Sequence, residues 1–138
     1  PGGPAPRAVL VVDRTPDDLR QFFVAGSDNF LSDLLAAAGA RNAFDGARSA
    51  FPHVSLEPIL AADPDLLIEL APGASAAEVA DRLGTWRRLA PGMRAVRNGS
   101  VRVLTDRTLP VPGPGIGAAV RALAAVVDAA RRAEGDAR

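Results

Sequence analysis

Apolar positions along the chain follow two alternating rhythms. Ala8 to Val12 (AVLVV) is a continuous apolar, β-branched run, and Asp65 to Leu70 (DLLIEL) and Val101 to Leu104 (VRVL) are similar short segments bounded by turn residues. They predict three strands, the first two central, because a strand buried on both faces needs apolar side chains at successive positions. Helical spacing fills the intervals. Phe30, Leu31, Leu34, Leu35 and Ala38 share one face, with Ser27 or Asp28 as cap and Gly39 as stop. Ser55 to Ala62 is a short helix ending at Asp63-Pro64, with Ser55 as N-cap and Glu57 and Pro58 in its first turn. A carboxylate suits that positive end, and proline costs little where the N–H has no intrahelical partner. Ser75 to Leu83 opens with the capping box Ser75 and Glu78, and Trp86 to Leu89 adds a further turn. The last helix, about Ile116 to Arg132, repeats Ile116, Val120, Leu123 and Val127 on one face.

Strands alternating with helices predict an α/β protein: a three-layer α/β/α sandwich with a central, mostly parallel sheet. In such sheets ligands gather outside the carboxyl ends of the strands. The first strand ends in Asp13-Arg14, the second in Glu69 and the third in Thr105-Asp106-Arg107. Solvation explains any one of these charges. Convergence from three segments points to a site, and Arg14 enters as a ligand-binding candidate on this geometry alone.

At 138 residues the chain is about one domain long. Its 16 basic residues, all Arg, balance 16 acidic ones and are interspersed with them, so nothing suggests the basic face that a nucleic-acid or membrane-surface binder needs, and the expected partners are small molecules or proteins. Cysteine is absent, which removes disulfides, thiolate catalysis and Cys-based metal sites. No apolar run approaches a membrane span, and the PGGPAP start lacks the basic start and apolar stretch of a signal peptide. The expectation is a soluble chain trimmed from something longer. His53 is the only histidine, without a partner at ligand spacing, so a turn or surface role outweighs metal binding. Trp86 reads as helix packing.

The order of these pieces resembles the C-terminal lobe of the class III substrate-binding proteins of ABC importers, which serve cobalamin, ferric siderophores and haem. The residues that carry the likeness are VLVVDR at 9–14, GSDNFLSDLLAAAGARNAF at 26–44, FPHVSLEPILAADPDLLIEL at 51–70 and the segment from Trp86 to Leu104, with VPGPGI before the last helix. Residues 1–6 then read as a Pro/Gly-rich leader or linker remnant, 7–135 as the lobe and 136–138 as a tail. The resemblance implies a non-enzymatic, periplasmic or membrane-anchored exported protein. It implies a metal-chelate or tetrapyrrole cargo, an ABC permease and a missing N-terminal lobe as partners, and no cofactor, catalytic residue or bound metal. It assigns permease docking to Glu57 and ligand contact to Phe51 and Asp106, with Gly26, Ser27 and Arg107 bordering the same cleft. Phe51 stands where cobalamin binders place a tryptophan.

Two other classes remain open on the residues alone. GPGIGAAV at 113–120 has the look of a Gly-rich phosphate loop, which would make the chain a nucleotide-binding enzyme. Two prolines among the six residues from Thr108 to Gly113 detach it from the third strand and favour a helix start. The third class is an interaction module that uses the lobe fold without carrying a ligand.

Overall fold

The computed structural model describes residues 5–14, 21–107 and 116–136. Its elements run β1 (Arg7–Arg14), β2 (Phe22–Val24), α1 (Phe30–Ala37), β3 (Arg41–Asn42), β4 (His53–Val54), α2 (Leu56–Ala62), β5 (Leu66–Leu70), α3 (Ala76–Leu89), α4 (Arg94–Arg97), β6 (Val101–Leu104) and α5 (Ile116–Asp136). The strands form one six-stranded sheet in the order β4-β2-β1-β5-β6, with β3 also paired to β1. Pairing is parallel for β1 with β5, β1 with β3 and β5 with β6. It is antiparallel for β1 with β2 and for β2 with β4. Because β5 takes one edge of β1, β2 and β3 share the other end to end, β3 beside Arg7 and Ala8 and β2 beside Val11 to Arg14.

Two apolar layers flank this sheet, as the period-2 alternation of its central strands requires. Ala8, Leu10, Leu66, Ile68 and Leu70 pack on one side against Leu31, Leu34 and Leu35 of α1 and Leu123 and Val127 of α5. Val9, Val11 and Leu67 pack on the other against Ile59 of α2, Trp86 of α3 and Ala95 of α4. The expected three-layer α/β sandwich with a mostly parallel sheet is the observed architecture.

Local details differ from the sequence reading. Asn29 caps α1, its side chain accepting the Ser32 N–H at 2.8 Å, while Asp28 takes a left-handed φ of 54°. The capping box of Ser75 and Glu78 is present. The helix it opens does not stop at Leu83 but continues through Gly84 to Leu89, because Trp86, fully buried on the sheet, ties the last turns to the core. Ser55 is the N-cap of α2 but its side chain makes no capping bond. β2, β3 and β4 are two or three residues long, too short for a periodicity to show. Pro6 is buried and its carbonyl accepts the Arg41 N–H at 2.8 Å, so packing begins inside the expected leader.

Candidate functional site

One pocket opens outside the carboxyl ends of β1 and β5. These are adjacent strands, and the chain leaves β1 for β3 on one side and for β5 on the other, so the pocket lies where the strand order reverses. That is the crevice in which open α/β sheets collect ligands. It measures about 200 Å³ and is lined by Asp13, Leu70, Gly73, Glu78 and Arg82 among others. Gly73 adopts a φ of 75°, a left-handed conformation that glycine supplies without steric cost, and a Cβ there would run into the Arg107 guanidinium. The Gly73 N–H donates to the Thr105 carbonyl at 2.9 Å, which ties the turn after β5 to the segment after β6. Arg107 therefore does stand at this edge, exposed, next to exposed Asp106.

Glu78 lines the pocket from the first turn of α3. The Ser75 backbone N–H donates to its carboxylate and the Ser75 hydroxyl accepts the Glu78 N–H, both at 3.2 Å. The bond from the Ser75 backbone, then that to its side chain, holds the Glu78 carboxyl below its ordinary value of 4.5, so it stays ionised at neutral pH.

Two of the charges expected at this edge are not presented to it. Glu69 is 1 % exposed and lies on the α3 face of the sheet, where it accepts hydrogen bonds from Trp86 Nε1 at 2.9 Å, Arg14 Nε at 3.0 Å and Arg82 Nη1. Arg14 is thus a correction to the ligand-binding set, since its side chain is 0 % exposed. The cause is a register shift between Val11 and Asp13. Strict alternation would send Arg14 to the α1 side, but one extra residue reverses the parity and turns it onto Trp86, whose ring centroid is 5.8 Å from the guanidinium carbon.

Gly26, Ser27 and Phe51 form a second group along the outer edge of the sheet. Gly26 N–H donates to the Ala50 carbonyl at 2.8 Å, and Ser27 Oγ donates to the Ala47 carbonyl at 2.6 Å. Asn29 Nδ2 donates to the Gly26 and Ala50 carbonyls at 3.0 and 2.9 Å, stapling the 43–52 loop to the start of α1. Gly26 is buried with no room for a side chain: a Cβ would stand 2.7 Å from Pro52 Cδ. The loop presents Phe51, 41 % exposed. No described hydrogen bond or ion pair joins this group to Arg107.

Sequence reasoning missed Phe23. It lies opposite His53 in the β2–β4 pair, 43 % exposed, with the two rings stacked at 4.8 Å. The signal was present as two adjacent phenylalanines at 22 and 23, of which alternation buries Phe22 against Trp86 and exposes the other. Glu57 is exposed in the first turn of α2, as expected, shortly after these aromatics. Among the described residues no group of three or more His, Cys, Asp or Glu stands close enough to hold a metal ion.

The family described as periplasmic binding protein matches residues 5–108. The chain belongs to that family. Among solved structures, the periplasmic vitamin B12 binding protein of Vibrio cholerae is 22 % identical with a TM-score of 0.77, covering 94 % of this chain and 46 % of that one. A periplasmic heme binding protein from Pseudomonas aeruginosa is 31 % identical with a TM-score of 0.72, covering 90 % and 43 %. The periplasmic heme-binding protein RhuT from Roseiflexus sp. RS-1 is 25 % identical with a TM-score of 0.70, covering 91 % and 47 %. Comparison with curated proteins gives no match. This periplasmic binding protein chain spans less than half the length of each of those structures, the share expected of one lobe. Among the described residues no helix is long and apolar enough to cross a membrane. Of the Gly-rich stretch at 113–120 that suggested a nucleotide loop, residues 113–115 lie outside the described residues and the remainder opens α5.

Proposed function

We propose that this chain is the C-terminal lobe of the exported substrate-binding component of an ABC importer. It closes on a second lobe around a cobalamin, ferric-siderophore or haem-type cargo without transforming it, and docks to the permease through Glu57. The observation that carries the reading is the edge of β2 and β4. There Phe51 is held exposed by a loop hydrogen-bonded to Gly26, Ser27 and Asn29, and exposed Glu57 follows it at the start of α2. Flat, π-rich cargo suits exposed rings, because ring faces bind large apolar areas at low entropic cost. Asp106 and Arg107 supply the polar contacts in this reading, with Gly26 and Ser27 shaping the loop. Arg14 is excluded by its burial. The similar solved structures described as vitamin B12 and heme binding proteins support the cargo class.

The test is absorbance titration of the full-length protein with cyanocobalamin, hemin and a ferric hydroxamate. One of the three is expected to bind saturably, and Phe51→Ala to weaken it at least about tenfold, roughly 1.4 kcal/mol. Binding of none of them, with micromolar binding of a nucleotide instead, would move the chain to the enzyme class.

A further inference from the structure

Charge is less evenly spread than the composition suggests. From Arg82 to Thr105 the chain carries Arg82, Arg87, Arg88, Arg94, Arg97 and Arg102 and no acidic residue. The fold places this stretch on the second half of α3, on α4 and on β6. Two of the six arginines serve the fold, Arg82 on Glu69 and Arg94 Nη1 on Asp65 at 3.1 Å. Arg87, Arg88 and Arg97 are exposed, with no carboxylate of the described residues in ion-pair range.

These arginines border an apolar slot. Between α3 and β6 lies a groove of about 230 Å³ lined by Val79, Leu83, Val96 and Val101, with Arg87 and Arg102 also in its wall. β6 ends the sheet order, and all four of its residues are only partly buried. The carbonyls of Ser100 and Leu104 accept from Leu67 and Ala71, so in this parallel ladder the backbone groups of Val101 and Val103 point away from β5. Arg102 Nη1 covers part of that edge by donating to the carbonyls of Gly99 and Val101 at 2.6 and 3.1 Å. Among the described residues no strand pairs with that edge, and a positive side chain across it discourages pairing by apolar strands and repels basic ones. It attracts acidic ones.

We propose that the α3–β6 groove and its arginine rim dock an extended acidic segment of a protein partner, with a small apolar side chain in the slot and carboxylates on Arg87, Arg97 and Arg102. The surface is separate from the Phe51 and Glu57 edge, because β4 and β6 close opposite ends of the sheet. An anionic lipid surface needs basic groups but no concave apolar slot beside a strand edge, so the groove favours a peptide over a membrane. Main-chain hydrogen bonds to the outward backbone groups of Val103 supply affinity, while the apolar slot and the complementary charge supply specificity, the usual division in strand-like peptide recognition.

The experiment uses the full-length protein and a fluorescent hexapeptide alternating glutamate and valine, read by anisotropy at low salt. Saturable binding is expected, at least tenfold weaker for the double variant Arg87→Glu, Arg97→Glu, and weaker also for a hexapeptide alternating glutamate and serine. Circular dichroism and unchanged cargo titration establish that the variant is folded. The proposal is overturned if the glutamate–valine peptide does not bind saturably or if charge reversal leaves its affinity unchanged. Equal affinity for the serine peptide would overturn it too. So would capture by phosphatidylglycerol vesicles that the peptide does not compete, which would assign the basic face to lipid.

Discussion

Replacing Glu69 with leucine keeps most of the side-chain volume and removes one carboxylate that three donors share. Those donors respond unequally. Arg82 is 18 % exposed at its side chain and can turn to solvent, so its loss is small. Arg14 is 0 % exposed and cannot, and the indole N–H of Trp86 loses an acceptor 2.9 Å away. Removing the only partner of a buried charge costs about 3–5 kcal/mol, an upper bound here because Arg14 has a further interaction besides Glu69, and an orphaned buried N–H costs about 1–3 kcal/mol. The two effects share one site and are not additive, so a loss of about 1–3 kcal/mol from the Trp86 N–H, rising towards about 5 kcal/mol with the weakened pairing of Arg14, is expected for Glu69→Leu. Against a typical domain stability of about 5–15 kcal/mol this is a large fraction. Equilibrium urea unfolding followed by far-ultraviolet circular dichroism measures it, and avoids the local response of Trp86. Combining Arg14→Met with Glu69→Leu removes both buried charges and should restore much of the loss. A Glu69→Leu loss under about 1 kcal/mol would refute the reasoning. A double variant no more stable than the single one would show that the loss of the Glu69 carboxylate from Arg14 is not the cause.

Three further outcomes are expected. Glu57→Arg should leave cargo affinity and folding nearly unchanged in the full-length protein while impairing import by the reconstituted permease, since a like charge at a docking surface costs affinity for the partner; normal import would remove Glu57 from docking. Gly26→Ala forces a methyl group against the Ser49 carbonyl and Pro52, so urea unfolding should show a loss of about 1–3 kcal/mol, and displacement of the Phe51 loop should weaken cargo binding in parallel. Because the Glu78 carboxyl is held below 4.5 in the folded protein, its stabilising effect is complete above that value and is lost as pH falls through the lowered folded value. Thermal melts of wild type and Glu78→Gln should therefore differ near neutral pH and converge in acid, and a gap independent of pH would count against the capping account.

The family likeness and the layer order were legible in the linear pattern, for physical reasons. Ala8–Val12 and Asp65–Leu70 are apolar at successive positions because the sheet is covered on both faces, and that condition writes itself into the residues directly. The capping box at Ser75 and Glu78, the stop at Gly39 and the exposure of Glu57 are equally local, each set within one helical turn. At the candidate site, exposure was legible only where a side chain's direction follows from its own segment, as for Phe51 and Glu57. Tertiary structure decided the rest. Strict alternation from Ala8 would have put Arg14 on the α1 face, and only the bulge opposite β2, a strand of three residues, turned it into the core to meet Glu69 from 55 residues away. Glu69 looked like a strand-end charge because no local rule reveals that Arg14, Arg82 and Trp86 will converge on it. The pocket at Asp13 and Gly73 likewise depends on which edge of β1 each later strand takes, a choice made by the packing of helices on both faces and not by any single segment.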